Sequence, residues 1–364
     1  MASSLRTLTA AAVFAVTVAL GFTAAAQVMS HRFDPVYDDM VQQSQAFGLE
    51  MVGIRLTVAE TFAAPIDTGL AVELRKMAGS DLGRFYGTLS QRNLTLALDL
   101  KAALNDVVKA VDTGASVAAP AARARTLLAG ASAAVIPANL QAALSFKAAV
   151  LANVLVAEDG VSESFEDAGA TGNTWKFPNG WAALNRAQVL WAALAPSVPE
   201  HRRDEGNSLM EVMKPFYEKP TARVPFPVED SEDLEALAHQ MVTVLEEATD
   251  SYLYAGRVLL RLVNHLVEAL APGCAAYAAG NEALGAEIIY AVVDQYTSEA
   301  GGLHGALSIM APDVDDKAAR FILRMVESKY LKLEGAPVNM AISPADACRG
   351  LQVALSESRK TLGG

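Results

Sequence analysis

From Asp230 to Leu270 the chain reads DSEDLEALAHQMVTVLEEATDSYLYAGRVLLRLVNHLVEAL, without a proline and with Gly256 as its single glycine. Apolar residues recur at steps of three and four: Leu234, Leu237, Met241, Leu245, Ala248, Tyr252, Ala255, Leu259, Leu262, Leu266 and Leu270. That spacing puts side chains on one face of an α-helix. Val242, Val258, Val263 and Val267 widen the stripe beyond a coiled-coil seam, which calls for burial against several neighbours. The pattern predicts one continuous helix, roughly 60 Å long at about 1.5 Å per residue. Asp230 or Ser231 caps it, and Pro272-Gly273 stops it. The rest of the chain has to pack around such an element.

Helical spacing dominates elsewhere too. Val36, Met40, Phe47, Met51, Ile54, Val58 and Phe62 share a face ahead of Pro65. A second helix is expected over Thr68–Met77 and a third from Leu82 to about Val111, ending at Asp112-Thr113-Gly114. Pro120 opens an alanine-rich helix, interrupted near Pro137, that resumes from Asn139 to about Ala157. No period-two strand pattern occurs in this half. Residues 158–180 are acidic and glycine-rich. A short helix over Trp181–Leu194 follows, and Pro196, Pro199, Pro215, Pro220, Pro225 and Pro227 then punctuate the chain. The stretch 158–228 therefore reads as an irregular crossing between an N-terminal helical region (27–157) and a C-terminal bundle (229–364). After the long helix come expected helices over Asn281–Tyr296, Leu303–Ala311, Val314–Leu333 and from Ser343-Pro344 to about Leu362. The expected fold is all-α: an antiparallel helical bundle of two packed layers around one long central helix.

The first residues, MASSLRTLTAAAVFAVTVALGFTAAAQ, carry one basic residue, an apolar run and a small-residue tail, the pattern of a secretory signal peptide with cleavage after Ala26. An uncleaved anchor is the competing reading, and membrane attachment is expected only in that case. The expected location is thus exported, periplasmic or extracellular. A net charge of -12 opposes nucleic-acid binding and leaves an unidentified ligand or protein partner. Only two cysteines occur, Cys274 and Cys348. In an oxidising compartment they are a candidate disulfide; two buried free thiols are the alternative.

No hydrolase, zinc-protease or nucleotide-binding signature is present. Of the five histidines, His265 pairs best, with Glu268 three residues on, a spacing that lets two side chains on one helix face reach one metal ion. The spacing is also that of the HxxE within the GxHxxE signature of imelysin-like periplasmic proteins. Val263 stands at the glycine position and nothing else in the chain matches, so no family follows. A solvated polar stripe is the plainer account of His265 and Glu268. Arg257 and Arg261, four apart, are candidates for clamping an anion if buried. Trp175 and Trp181 are candidates for lining a ligand pocket, although core anchoring is the commoner use of such residues. No cofactor is indicated. The function expected is that of an exported, non-enzymatic helical protein that binds a ligand or partner or assembles. The alternative is a metal-binding bundle of oxidoreductase or peptidase class using His265 and Glu268.

Overall fold

A computed structural model describes residues 40–62, 68–170, 175–217, 231–251, 253, 259–297, 307, 312–315, 317–318 and 343–361. The N-terminal segment, Arg257 and most of the two helices expected between 303 and 333 lie outside the described residues. Among those described, the structure is helical throughout and has no strand. The all-α expectation, with helices packed in layers, holds.

The helices are α1 (Met40–Phe62), α2 (Thr68–Lys76), α3 (Tyr86–Arg92), α4 (Leu94–Thr113), α5 (Ala118–Val135), α6 (Ala138–Ala142) and α7 (Leu144–Val156). They continue with α8 (Val161–Ala170), α9 (Lys176–Leu194), α10 (Glu200–Met213), α11 (Ser231–Thr249), α12 (Leu259–Ala278), α13 (Glu282–Thr297) and α14 (Pro344–Thr361). A π-helical turn, Met77–Asp81, follows α2.

The central helix is α1. It packs against α5, α7, α9, α13 and the π-turn, and it is buried on nearly every side, including at Gln43, Ser44, Gln45 and Arg55. An all-round buried helix shows little amphipathic contrast. This is why its central position is harder to read from sequence than its existence.

The long helix expected over Asp230–Leu270 is two helices. α11 ends at Thr249, where Asp250 turns left-handed (φ 48°) and the Ser251 N–H donates to the Glu246 carbonyl at 3.0 Å. This is the Schellman stop, made here on aspartate instead of the usual glycine. The buried Glu246 carboxylate accepts the Leu253 N–H at 3.1 Å and fixes the exit. The two halves of the predicted stripe then serve different cores. Leu234, Ala238, Met241 and Leu245 join a large core with α1, α4, α7 and α9, whereas Val263, Leu266 and Leu270 join a second core with α13 and α14.

α12 also runs on through Pro272 to Ala278. Pro272 cannot donate to the carbonyl four residues back, but that carbonyl belongs to the exposed Glu268. Gly273 serves close approach instead of a stop: a Cβ there would sit 2.9 Å from Ile288 Cγ2 on α13. A disulfide between Cys274 and Cys348, with Cα atoms 5.5 Å apart, joins α12 to α14.

The stretch 158–228, expected to be irregular apart from a short helix over Trp181–Leu194, holds α8, α9 and α10, and α9 contains that expected helix. Its prolines sit where helices begin or end: Pro178 lies in the first turn of α9, Pro196 in the 3-10 turn after it, Pro199 at the N-cap of α10, and Pro215 just past its end. Pro is well tolerated at such boundaries. Phe165, Phe177, Phe216 and Tyr217 stack at centroid distances of 5.0–6.1 Å and tie these helices into the large core.

Candidate functional site

Two arrangements stand out, on opposite sides of α1. The first is a groove of about 450 Å³ between α1, α5 and α9. Its floor is apolar, with Leu49, Gly53 and Ile54 from α1, Leu128 from α5 and Ala182 from α9. Two arginines flank it. Arg125 on α5 donates from Nε and Nη2 to the Glu60 carboxylate (2.6–3.2 Å) and from Nη2 to the Thr57 hydroxyl (3.0 Å). Arg186 on α9 forks onto Glu50 at 2.5 and 2.8 Å. Both guanidinium side chains keep about 40% of their surface (41% and 39%) in solvent. The Arg125–Glu60 pair, exposed on both sides, holds loosely, whereas the forked Arg186–Glu50 pair is part-buried.

The second arrangement is a buried charge cluster. Arg55 of α1, 1% exposed, donates from Nε to Asp81 (2.6 Å), from Nη2 to Asp159 (2.8 Å) and from Nη1 to Asn179 (3.3 Å). Nη1 also lies 3.5 Å from Glu73. Lys176, at the start of α9, donates to Asp159 at 2.5 Å and to Asp167 at 2.6 Å, and Lys76 reaches Asp159 at 3.2 Å. Asp159 occupies the turn between α7 and α8 with φ 65°. The Asn179 amide clamps that turn by donating to the Asp159 carbonyl at 2.8 Å.

Burial alone would push the Asp159 carboxyl up, but Arg55, Lys76 and Lys176 together hold it well below the usual carboxylate range. Burial likewise opposes the charges on Arg55 and Lys176, and their carboxylate partners more than offset it and raise both. A group locked in its charged form does not exchange protons near neutrality. Arg55, Asp159 and Lys176, with Lys76 and Asp81, tie α1, α2, the π-turn and α9 to the turn before α8, while burial pushes the Asp81 carboxyl up.

Of the residues singled out from sequence, the described Trp175, Trp181 and Glu268 line neither arrangement. Trp175 and Trp181 meet Phe62 edge-on, with centroids 6.3 and 5.7 Å apart, at the C-terminal end of α1. They pack as anchors at the edge of the large core. Glu268 is exposed on α12, the helix that also carries Arg261 and His265, whose side chains lie outside the described residues together with Arg257. Among the described residues no three His, Cys, Asp or Glu side chains gather as a metal-ligating group. No described helix is long and apolar enough to cross a membrane.

Sequence reasoning missed Arg55, Asp159, Lys176, Arg125 and Arg186. For Arg55 a signal existed: it is the one basic residue in α1, set between Ile54 and Leu56 in an apolar run. Asp159 carried none, since its role depends on three cations that are distant in sequence.

No family model matches the chain, and no curated protein matches it. Among solved structures, the M domain of HMP-1 is similar over 87% of this chain and 99% of that one, at 13% identity and a TM-score of 0.25. A likeness that remote carries no argument.

Proposed function

We propose that this is an exported, non-enzymatic helical protein that binds an amphipathic anionic ligand or partner segment in the groove between α1, α5 and α9. The observation that carries this reading is the pairing of an apolar floor with two half-exposed guanidinium groups, each held by a surface glutamate. Exchanging Glu60 for a ligand carboxylate, sulfonate or phosphate costs little, because exposed ion pairs contribute only about 0–1 kcal/mol, and at Arg186 the ligand anion takes over the fork now made to the part-buried Glu50. The apolar body of the ligand supplies the gain by covering Leu128 and Val189, which keep apolar surface in solvent. The signal-like segment of residues 1–26 supports export. The charge cluster supports a rigid scaffold behind the groove.

The test uses anilinonaphthalene sulfonate, an apolar ring system bearing one anionic group, titrated into the folded protein and followed by fluorescence. Saturable binding is expected, weakened about tenfold by Arg186→Ala or Arg125→Ala and abolished by Val189→Glu at the groove wall, with circular dichroism unchanged. Binding that ignores all three substitutions would overturn the reading.

A further inference from the structure

α13 has two faces of opposite character. Ala286, Ile289 and Val292 enter the second core with α12 and α14. Glu287, Tyr290 and Asp294, at i, i+3 and i+7, form the other face, and that face meets α1, α3 and the turn before α3. Apart from Met40 and Val41 of α1, which pack into the second core, the contacts described there are polar or electrostatic. Asp294 accepts from both Arg84 Nη2 (2.7 Å) and the Ser44 hydroxyl (2.6 Å). Glu287, fully buried, accepts from the Thr88 backbone N–H (2.7 Å), the Thr88 hydroxyl (2.5 Å) and the Gln45 amide (2.5 Å). The Arg84 guanidinium is sandwiched between the Phe47 and Tyr290 rings, at 5.2 and 4.9 Å from their centroids. The surfaces also touch closely: a Cβ on Gly87 would stand 2.8 Å from the Leu284 backbone.

We propose that α12, α13 and α14 form a module that undocks from the rest of the protein along this polar face without unfolding. Three features argue for it. The module has its own apolar core, and the Cys274–Cys348 bridge closes it covalently. The described part of the connection into it begins at the helix stop on Asp250, where the chain leaves α11. The seam is also of the kind that parts reversibly, since polar interfaces inside one chain permit relative motion where large apolar ones do not. Opening returns Arg84, Asp294 and Glu287 to water and draws Met40, with its neighbour Val41, out of the second core. These are the apolar residues at the start of α1 that pack there.

The experiment is hydrogen–deuterium exchange on the oxidised full-length protein, with small-angle scattering in parallel. Asp294→Asn removes the ion-pair partner of the buried Arg84, leaving only the more distant charge of Asp81, and is expected to speed exchange of the seam peptides around Ser44–Gly48 and Tyr86–Ser90 about tenfold. Exchange inside α12 and α14 should stay unchanged while the radius of gyration rises. Gly87→Ala tests the same seam sterically, without touching a charge, and is expected to reproduce the pattern. Should neither variant fold, the milder Ser44→Ala, which removes one neutral donor to Asp294, is expected to shift the same peptides in the same direction. Acceleration spread evenly over both cores, or seam peptides that respond to none of these changes, would overturn the proposal.

Discussion

Asp159 carries an unusual combination: a left-handed backbone, φ 65°, and a carboxylate shared among Arg55, Lys76 and Lys176. Aspartate and asparagine tolerate that conformation better than other non-glycine residues. Asp159→Asn therefore isolates the charge. Leaving three cations short of a buried partner is expected to cost about 3–5 kcal/mol at neutral pH. The pH dependence has a definite sign. The folded protein holds this carboxyl well below its ordinary value, so in the interval between the two the unfolded chain binds the proton more tightly. The stabilisation is complete above the ordinary carboxylate range, about 3.9, and is lost as pH falls through the depressed folded value. Urea midpoints measured against pH are expected to show a shallower acid limb in Asp159→Asn than in the wild type; identical limbs would remove Asp159 from this role. None of this was legible in the sequence. Asp159 there is one acidic residue among several, and the three bases that define it lie 104, 83 and 17 positions away.

Three of the described helices end in the same backbone motif, and the sequence reading placed only one of them, at Gly114. After α4, Gly114 is left-handed (φ 68°) and the Ala115 N–H reaches the Ala110 carbonyl at 2.8 Å; after α12, Gly280 (φ 77°) and the Asn281 N–H onto Ala276 at 2.9 Å repeat it. The expected boundary at Asp112-Thr113-Gly114 falls on the first of these stops, whereas the second lies beyond Pro272-Gly273, where the helix was expected to end. At Asp250 the same bond is made without a glycine, so the apolar stripe ran on unchecked and two helices were read as one. The prolines misled in the opposite direction. Their density argues against a continuous helix after Leu194, yet Pro196, Pro199 and Pro215 occupy boundary positions that leave α9 and α10 intact. Periodicity located most helices, because it depends on neighbours in the chain; which helix is central, and where the groove opens, depends on partners far away. The Asp250 stop gives a prediction of its own. Asp250→Gly is expected to match the wild type in thermal midpoint or exceed it, and Asp250→Val to cost about 1–2 kcal/mol, since a β-branched side chain resists the left-handed region. Equal midpoints for the two variants would show that this turn does not control where α11 ends.

At the scale of the whole molecule, two apolar cores share one chain, and the covalent cross-link lies entirely within the smaller. Cys274 and Cys348 are 74 residues apart, a long loop to close. In the chain-entropy account, removing such a bridge releases about 4 kcal/mol of freedom to the unfolded state. That freedom belongs to residues of the second core, whereas the large core is held by its own burial and by the Arg55–Asp159 cluster, neither of which touches the bridge. Replacing both cysteines with alanine is therefore expected to lower the stability of α12–α14 selectively. Calorimetry should resolve a lower-temperature transition for the module, while a second transition, retaining the helicity of α1–α11, stays near its original position. The Trp175 and Trp181 contacts with Phe62 lie in the large core, so tryptophan emission should follow the upper transition and not the lower. A single transition that moves as a whole, with emission and helicity changing together, would mean that the polar seam of α13 couples the two cores into one cooperative unit.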